Sequence, residues 1–253
     1  MKVKASLHLH TSEDKIEGYF INYNIYQLID RAALLGFRVL ALTCHQGLVY
    51  RPDFAGYAQS KGILLLFGIE LFIKVNLLHH HDVVVLNIDP DDKEKIEVID
   101  NYNTLAEYKK SHPEIFILAP HPLYGWRDSI GKKNLIKQID LFDGIEHCWF
   151  YSKKINPNLW AAKIAQGFNK PLLATSDLHL FNRFDSFNSD YIIVETKGLD
   201  SQIFFTALKA KKFINISQPK KIFHLILSLV IHKLREFFLM PRKFKRNKNY
   251  GEI

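Results

Sequence analysis

The sequence is poor in cysteine, with only Cys44 and Cys148 among its 253 residues. Two cysteines cannot build a disulfide framework, so a hydrophobic core must hold the fold, and a reducing cytoplasm is the compartment that this composition favours. The first residues, MKVKASLHLHTSED, also lack an apolar run long enough for a secretory signal, because charged and histidine residues arrive too early. We therefore expect a cytoplasmic globular protein, whose 47% hydrophobic residues suffice for a sizeable core.

Positive charge is scarce outside the last part of the chain. The formal net charge is +8, but residues from 219 onward hold nine Lys or Arg against two acids, a net of +7, which leaves +1 for residues 1–218. The nearly neutral charge of residues 1–218 is not typical of a protein that binds a long nucleic-acid backbone. A compact substrate is therefore favoured, and a nucleic-acid end is not.

Short aliphatic or β-branched runs alternate with segments of helical period through the body of the chain. Eight candidate strands lie at 2–8, 38–42, 63–70, 82–88, 115–120, 143–147, 171–176 and 191–195. This alternation is typical of α/β architecture with parallel strands, and it predicts a small TIM-like (β/α) barrel, with a doubly wound open sheet as the alternative. We expect one domain over 1–218 and an extension over 219–253.

Polar side chains end several of these apolar strands. His8 and His10 close the first strand, and the later strands end in or are followed by His45, Glu70, His121, Asp177 and His179. Because side chains alternate along an extended segment, His8 and His10 project to the same side, as do Asp177 and His179. Repeated imidazoles and carboxylates at strand ends have no packing rationale, so this pattern predicts a metal site where the strands end.

The run HHHD at 79–82 adds one more candidate ligand. Side chains alternate between the two faces of a strand, so His79 and His81 lie on one face and His80 on the other. Only part of the run can therefore point inward. We favour His81 as a ligand, and His80 is the alternative.

Five motifs together resemble the polymerase-and-histidinol-phosphatase (PHP) family of metal-dependent phosphoesterases. They read HLHT, TCH, GIE, APHP and SDLH, in that order, and the resemblance covers residues 5–216. It implies a distorted seven-stranded barrel with two or three divalent metal ions, zinc, manganese or iron.

The resemblance also implies which residues hold each ion. The first set is His8, His10, Glu70 and Asp177; the second is Glu70, His81 and His121; the third is His45, His179 and an acidic residue of SEDKIEG. For that acidic residue we prefer Asp14 over Glu17. Cys44 stands where the family commonly has aspartate, and we read it as a small buried residue behind the site rather than a thiolate ligand.

The activity that follows from the resemblance is hydrolysis of a phosphate ester by a metal-bridged hydroxide, with Glu70, His121 and Asp177 in catalytic positions. Arg127 and Arg183 follow ligand motifs closely, and a guanidinium suits phosphate geometry, so one of them is expected to contact the substrate. The substrate class is a small phosphorylated metabolite or a nucleotide.

Two other functions compete with this one. An amidohydrolase-type C–N hydrolase also opens its barrel with H-x-H, but it should carry a bridging lysine on a middle strand. A non-enzymatic metal-binding module, attached to a membrane or a partner by its basic tail, is the other candidate.

The extension over 219–253 contains an apolar segment, KIFHLILSLVIHKLREFFLM, followed by PRKFKRNK. Its polar residues recur at helical spacing, at Lys221, His224, Ser228, His232 and Arg235, and leave a wide apolar face. The charges within it, at Lys233, Arg235 and Glu236, argue against a spanning helix. Packing on the barrel or on a second copy is slightly preferred over peripheral contact with a membrane.

Overall fold

The computed structural model describes residues 1–76, 79–125, 128–181 and 186–239. In these residues nine strands form one sheet: β1 (Lys2–Leu9), β2 (Phe37–Leu42), β3 (Leu64–Asn76), β4 (His79–Leu86), β5 (Phe116–Ala119), β6 (Gly144–Cys148), β7 (Leu172–Thr175), β8 (Tyr191–Glu195) and β9 (Phe213–Ile216). They are accompanied by eight α-helices: α1 (Ile25–Leu34), α2 (Pro52–Ser60), α3 (Lys93–Glu97), α4 (Tyr102–Ser111), α5 (Gly131–Lys137), α6 (Asn158–Gly167), α7 (Ser201–Lys209) and α8 (Ile222–Leu239).

The sheet curls until its two ends nearly meet. Its strand order is β7-β6-β5-β4-β3-β2-β1-β8-β9. Just beyond β7, Leu178 bridges to Leu9 of β1, and the Leu178 carbonyl accepts a hydrogen bond from the His10 backbone N–H at 3.2 Å. The predicted α/β barrel-like fold is confirmed, whereas the seven-strand count is not, because the described residues form nine strands.

Two of the predicted strands run in the opposite direction to their neighbours. β1, β2 and β3 are parallel, as are β5, β6 and β7, but β4 is antiparallel to both β3 and β5, and β8 is antiparallel to β1. The expectation of parallel strands is therefore wrong for β4 and β8. For β4 the reason is the short connection after Asn76, since a parallel crossover needs a dozen or more residues. β9, which was not predicted, is four residues long and pairs antiparallel with β8.

The first helix forms as its sequence predicts. Asn24 caps α1 and makes a reciprocal capping box with Gln27, and Gly36 follows the helix with a φ of 76°. The apolar face is buried against the sheet at Ile25, Leu28, Ile29 and Ala32. Helix α6 begins directly after Pro157.

Buried side chains from both faces of the strands make the core. One cluster fills the barrel with residues such as Val3, Ala5 and Leu7, while Leu9 packs in another cluster with the buried face of α1. The pairing of β1 with β2 shifts register between Ser6 and Leu9. Such an irregularity re-aims side chains, and it lies where His8 and His10 leave the barrel core for its mouth.

Candidate metal centre

The polar side chains predicted from strand ends come together at one end of the barrel. His8, His10, His45, Glu70 and His121 are all buried, and a parallel backbone bridge joins His45, just after β2, to Glu70. Glu70 lies within β3, which continues to Asn76, and not at the strand end that the sequence predicted. The carboxyl ends of parallel strands meet at one edge of a sheet, which is why residues distant in sequence become neighbours here.

Glu70 lies at the middle of this cluster. Its Oε2 atom is 3.0 Å from His8 Nε2, 3.2 Å from His10 Nε2 and 3.2 Å from His45 Nε2. Its Oε1 atom is 3.4 Å from His121 Nε2. One carboxylate thus faces four imidazole nitrogens that come from three different segments of the chain.

The first candidate ligand group combines residues of the first motif, HLHT, and of the last, SDLH. His8, His10 and Asp177 offer ligand atoms that lie within 4.8 Å of one another, and Asp177 Oδ1 is 3.6 Å from the Nε2 atoms of both histidines. Asp177 holds a φ of 43°, which is unusual for a residue other than glycine. Strained backbone of this kind persists where the surrounding structure requires it, commonly at functional sites.

The second group contains Asp82 where His81 was expected. Glu70, Asp82 and His121 form a fully buried set, and His121 Nε2 is 3.7 Å from Asp82 Oδ2. His81 lies outside the cluster, with its Nδ1 atom 2.8 Å from the Tyr102 hydroxyl. The structure therefore does not bring His81 into the cluster and places Asp82 there instead.

The alternation of side chains along β4 explains this placement. Asp82 lies on the same face of β4 as Val84, which packs in the barrel interior. His81 lies on the same face as Val83, which packs in the cluster outside the barrel. His80 also lies on the Asp82 side, with its Nε2 atom 3.4 Å from Asp82 Oδ1 and 3.3 Å from Asp128 Oδ1. His80, Asp82 and Asp128 form a further, more exposed group beside the second.

The third group consists of three stacked imidazoles, those of His10, His45 and His179. The preferred acid Asp14 does not join them as a ligand but lies behind them: its Oδ2 atom is 3.2 Å from His10 Nδ1 and 2.9 Å from His45 Nδ1. Its Oδ1 atom accepts the backbone N–H groups of Ile16 and Glu17. Asp14 therefore orients two histidines so that their Nε2 atoms face the cluster.

The alternative acid, Glu17, is the carboxylate that reaches the third group. Its Oε2 atom is 2.9 Å from His179 Nε2. The structure thus favours Glu17 over Asp14 at this position.

Residues behind the candidate ligands hold them in position. Glu146 accepts the backbone N–H of His121 at 2.7 Å and a hydrogen bond from the Thr175 hydroxyl, and its Oε2 atom is 3.4 Å from His8 Nδ1. Cys44 is fully buried in the core, where burial raises the pKa of its thiol. This placement agrees with its reading as a small buried residue.

The charges in the cluster are strongly interdependent. Burial disfavours the charged form of His8 and His45, but the Glu70 carboxylate, with other acids around it, outweighs burial and raises the pKa of both well above the usual value. The same two histidines hold the pKa of Glu70 well below its usual value in spite of burial. For Asp82 burial prevails, reinforced by the charge of Glu70, and its pKa is raised well above normal.

The donor set fits divalent metal ions. The Nε2 atom of His10 and the Oε1 atom of Glu70 are buried, and the described residues offer them no hydrogen bond. Buried polar atoms without a partner are costly, whereas imidazole and carboxylate are the ligands that zinc, manganese and iron accept. These atoms therefore point to bound cations.

Sequence reasoning missed Asp82 and Asp128, and the only signal for Asp82 was its place at the end of HHHD. The two predicted phosphate contacts, Arg127 and Arg183, lie outside the described residues. Their role stays a prediction.

Comparison with known proteins agrees with this geometry. The PHP domain family matches residues 6–188, which is most of the chain. The chain belongs to the PHP domain family. No curated protein matches the sequence.

Three solved structures share the fold of this PHP domain. The first is a two-domain protein from Bacteroides vulgatus that contains a predicted PHP-like metal-dependent phosphoesterase, with 18% identity and a TM-score of 0.64 over 86% of this chain and 65% of that one. The second is a candidate metal-dependent phosphoesterase from Bifidobacterium adolescentis, with 13% identity and a TM-score of 0.51 over 74% of this chain and 91% of that one. The third is an amidohydrolase from Chromobacterium violaceum with bound sulfate and no metal, with 16% identity and a TM-score of 0.51 over 85% of this chain and 98% of that one. The chain thus spans about two thirds of the B. vulgatus protein. At identities of 13–18%, the likeness to these three structures shows the fold alone.

In the described part of the chain, no helix has the length and apolarity that a membrane crossing requires.

Proposed function

We propose that this PHP domain is a metal-dependent phosphoesterase that hydrolyses a small phosphorylated metabolite or a nucleotide. The observation that carries the proposal is the position of Glu70, whose two carboxylate oxygens face His8, His10 and His45 on one side and His121 on the other. A carboxylate so placed can be shared between neighbouring cations, which is the arrangement that phosphate-ester hydrolysis uses.

The first, second and third ligand groups would each hold one ion. His8, His10, Asp177 and Glu70 would bind the first, and Glu70, Asp82 and His121 the second. His45 and His179 would bind a third together with Glu17. Zinc, manganese and iron all suit these ligands.

Divalent ions held by these residues would lower the pKa of a bound water and so supply hydroxide for attack on phosphorus. The protein groups position this chemistry: Asp14 and Glu146 orient the ligand histidines from behind. Arg127 and Arg183 remain the candidates for binding the substrate phosphate, because they follow the APHP and SDLH motifs closely.

The amidohydrolase alternative finds less support. A bridging lysine on a middle strand was its distinguishing expectation, and Lys74 is the only lysine on β3 to β7. The Lys74 ammonium is largely exposed and pairs with Asp100 at 2.9 Å. The amidohydrolase likeness therefore extends to the fold alone.

The test combines metal analysis with turnover. We expect purified protein to bind two or three equivalents of a transition metal and to hydrolyse members of a phosphoester panel, including a nucleotide and an oligonucleotide end, but not an amide or lactone panel. Glu70→Gln should abolish turnover and lower metal content. The matched control is His112→Gln, a histidine that pairs with Asp92 away from the cluster.

Two outcomes would refute the proposal. Metal binding without turnover of any phosphoester would favour the non-enzymatic metal-binding module, and turnover of an amide or lactone instead would favour the C–N hydrolase.

A further inference from the structure

Helix α8 exposes an apolar stripe. Phe223, Ile226, Val230 and Leu234 recur at spacings of three and four residues, and they are 68%, 55%, 46% and 50% exposed. This spacing places them on one face of the helix. A contiguous apolar stripe on a surface helix marks a site that binds something apolar.

The opposite face of α8, which is partly polar, lies toward the domain. His224, Ser228 and Arg235 are half-buried, as are Leu227 and Ile231, and Leu225 is buried. The Arg235 guanidinium donates two hydrogen bonds to the Phe20 carbonyl, at 3.0 and 2.7 Å. This face of α8 therefore packs toward the domain, while the apolar stripe lies away from it; packing on a second copy stays a prediction.

The start of the helix is also held in place. Just before α8, the Lys220 backbone N–H donates to the Tyr151 carbonyl at 2.8 Å, and the Lys220 ammonium pairs with buried Asp190 at 2.7 Å. With Arg235 held farther along, the polar contacts at both ends fix the helix orientation. The apolar stripe therefore faces outward because of specific contacts on the other side.

We propose that the exposed face of α8 binds an anionic lipid bilayer surface, with the helix lying in the interface. The choice of partner rests on charge. Lys233 is exposed on the helix, and residues 240–253, which follow it, carry five Lys or Arg against one acid. An apolar face combined with basic residues is the pattern of helices that bind anionic membranes, where each basic residue near the surface adds attraction.

This placement also connects the bilayer to the candidate metal centre. Phe20, whose carbonyl holds Arg235, stacks against His179 with ring centroids 6.1 Å apart. The end of α8 therefore contacts the loop that borders the third ligand group. The proposal itself does not depend on hydrolysis, and its test measures binding alone.

The experiment is vesicle co-sedimentation of the full chain. We expect the protein to sediment with vesicles of equal parts phosphatidylglycerol and phosphatidylcholine, and much less with phosphatidylcholine alone. Added salt should weaken the binding to the anionic vesicles. The double variant Ile226→Gln, Val230→Gln should reduce the vesicle-bound to free ratio about tenfold or more, because two apolar side chains no longer enter the interface.

The matched control replaces two exposed leucines on other helices, in the double variant Leu34→Gln, Leu159→Gln. It should bind vesicles as the unaltered chain does. Both double variants should keep the thermal midpoint of the unaltered chain, since all four side chains are exposed.

Three results would overturn the proposal. The unaltered chain could stay in the supernatant with anionic vesicles, or the control variant could lose binding as much as the α8 variant does. Light scattering could instead show a dimer that the α8 variant converts to a monomer, which would assign the face to a second copy of the chain.

Discussion

At the scale of single residues, the candidate metal centre depends on two carboxylates. Glu70 lies between the histidines, and Asp14 lies behind two of them. Glu70 faces four imidazoles, and Asp14 holds two of them by their Nδ1 atoms. A carboxylate on Nδ1 fixes the ring orientation and leaves Nε2 to bind a metal. The two acids therefore have different roles although both are buried among histidines.

The second ligand group contains Asp82 where the sequence predicted His81, and this difference can be tested directly. Asp82→Asn should lower the affinity of the second metal at least tenfold, because it removes a charged ligand from a buried set. His81→Gln should leave metal content unchanged, since His81 contacts Tyr102 instead. Metal titration followed by elemental analysis measures both, and the reverse pattern would restore His81 as the ligand.

Asp14→Asn should weaken metal binding at His10 and His45 by about 10- to 100-fold, the usual effect of losing a carboxylate behind ligand histidines. The amide cannot accept from both Nδ1 atoms while its oxygen also serves the backbone of Ile16 and Glu17. Asp89→Asn is the matched control, because Asp89 only caps a turn through its side-chain oxygen. Equal metal affinity in the two variants would contradict the role given to Asp14.

At the scale of elements, the hairpin of β3 and β4 brings Glu70 and Asp82 into one site. The two strands pair closely at Gly68, the glycine of the GIE motif. A Cβ atom at Gly68 would lie 2.6 Å from the Val85 carbonyl oxygen and 2.9 Å from Leu86 Cδ2. Only glycine permits this approach of the strands.

Gly68→Ala should therefore lower the free energy of unfolding by roughly 1–3 kcal/mol, the cost of overpacking, and weaken metal binding by displacing β4. Gly56→Ala is the matched control: Gly56 lies on the exposed side of α2 with no atom within 4 Å of a new Cβ, and alanine should stabilise the helix by roughly 0.5–1 kcal/mol. Denaturant unfolding of both variants measures the difference. A neutral Gly68→Ala would show that the hairpin tolerates separation.

At the scale of the whole molecule, the chain after the barrel is tied to it at a defined point. Asp190 is fully buried, and it accepts from the Lys220 ammonium and the Ser217 hydroxyl. Removing one partner of a buried ion pair leaves an uncompensated charge. The proposed boundary at 218/219 therefore cuts a structural contact.

Two truncations separate this contact from the helix. Deleting 222–253 should spare hydrolysis and folding, while deleting 219–253 should cost about 3 kcal/mol of stability because Asp190 loses Lys220. Thermal unfolding and turnover of the two truncations test the difference. A folded 1–221 chain without activity would show that α8 serves the reaction.

Metal removal should act on the whole fold. A ligand at 100 times its dissociation constant stabilises the native state by about 2.7 kcal/mol, so chelation should lower the melting temperature by about 5–10 °C. Adding back zinc or manganese should restore it. An unchanged melting temperature after chelation would contradict a structural contribution of bound metal.

The sequence by itself determined the α/β barrel-like class and the repeated placement of histidines and acids next to short apolar runs. These follow from local periodicity and from the rule that parallel strands end at one edge. Only the tertiary structure placed Asp82, rather than His81, beside Glu70 and His121, and Glu17, rather than Asp14, at the Nε2 atom of His179. Both faces of β4 are apolar beyond Asp82, so periodicity could not tell inside from outside. The direction of β4 and the outward face of α8 depend on contacts between segments far apart in the chain, which local patterns do not contain.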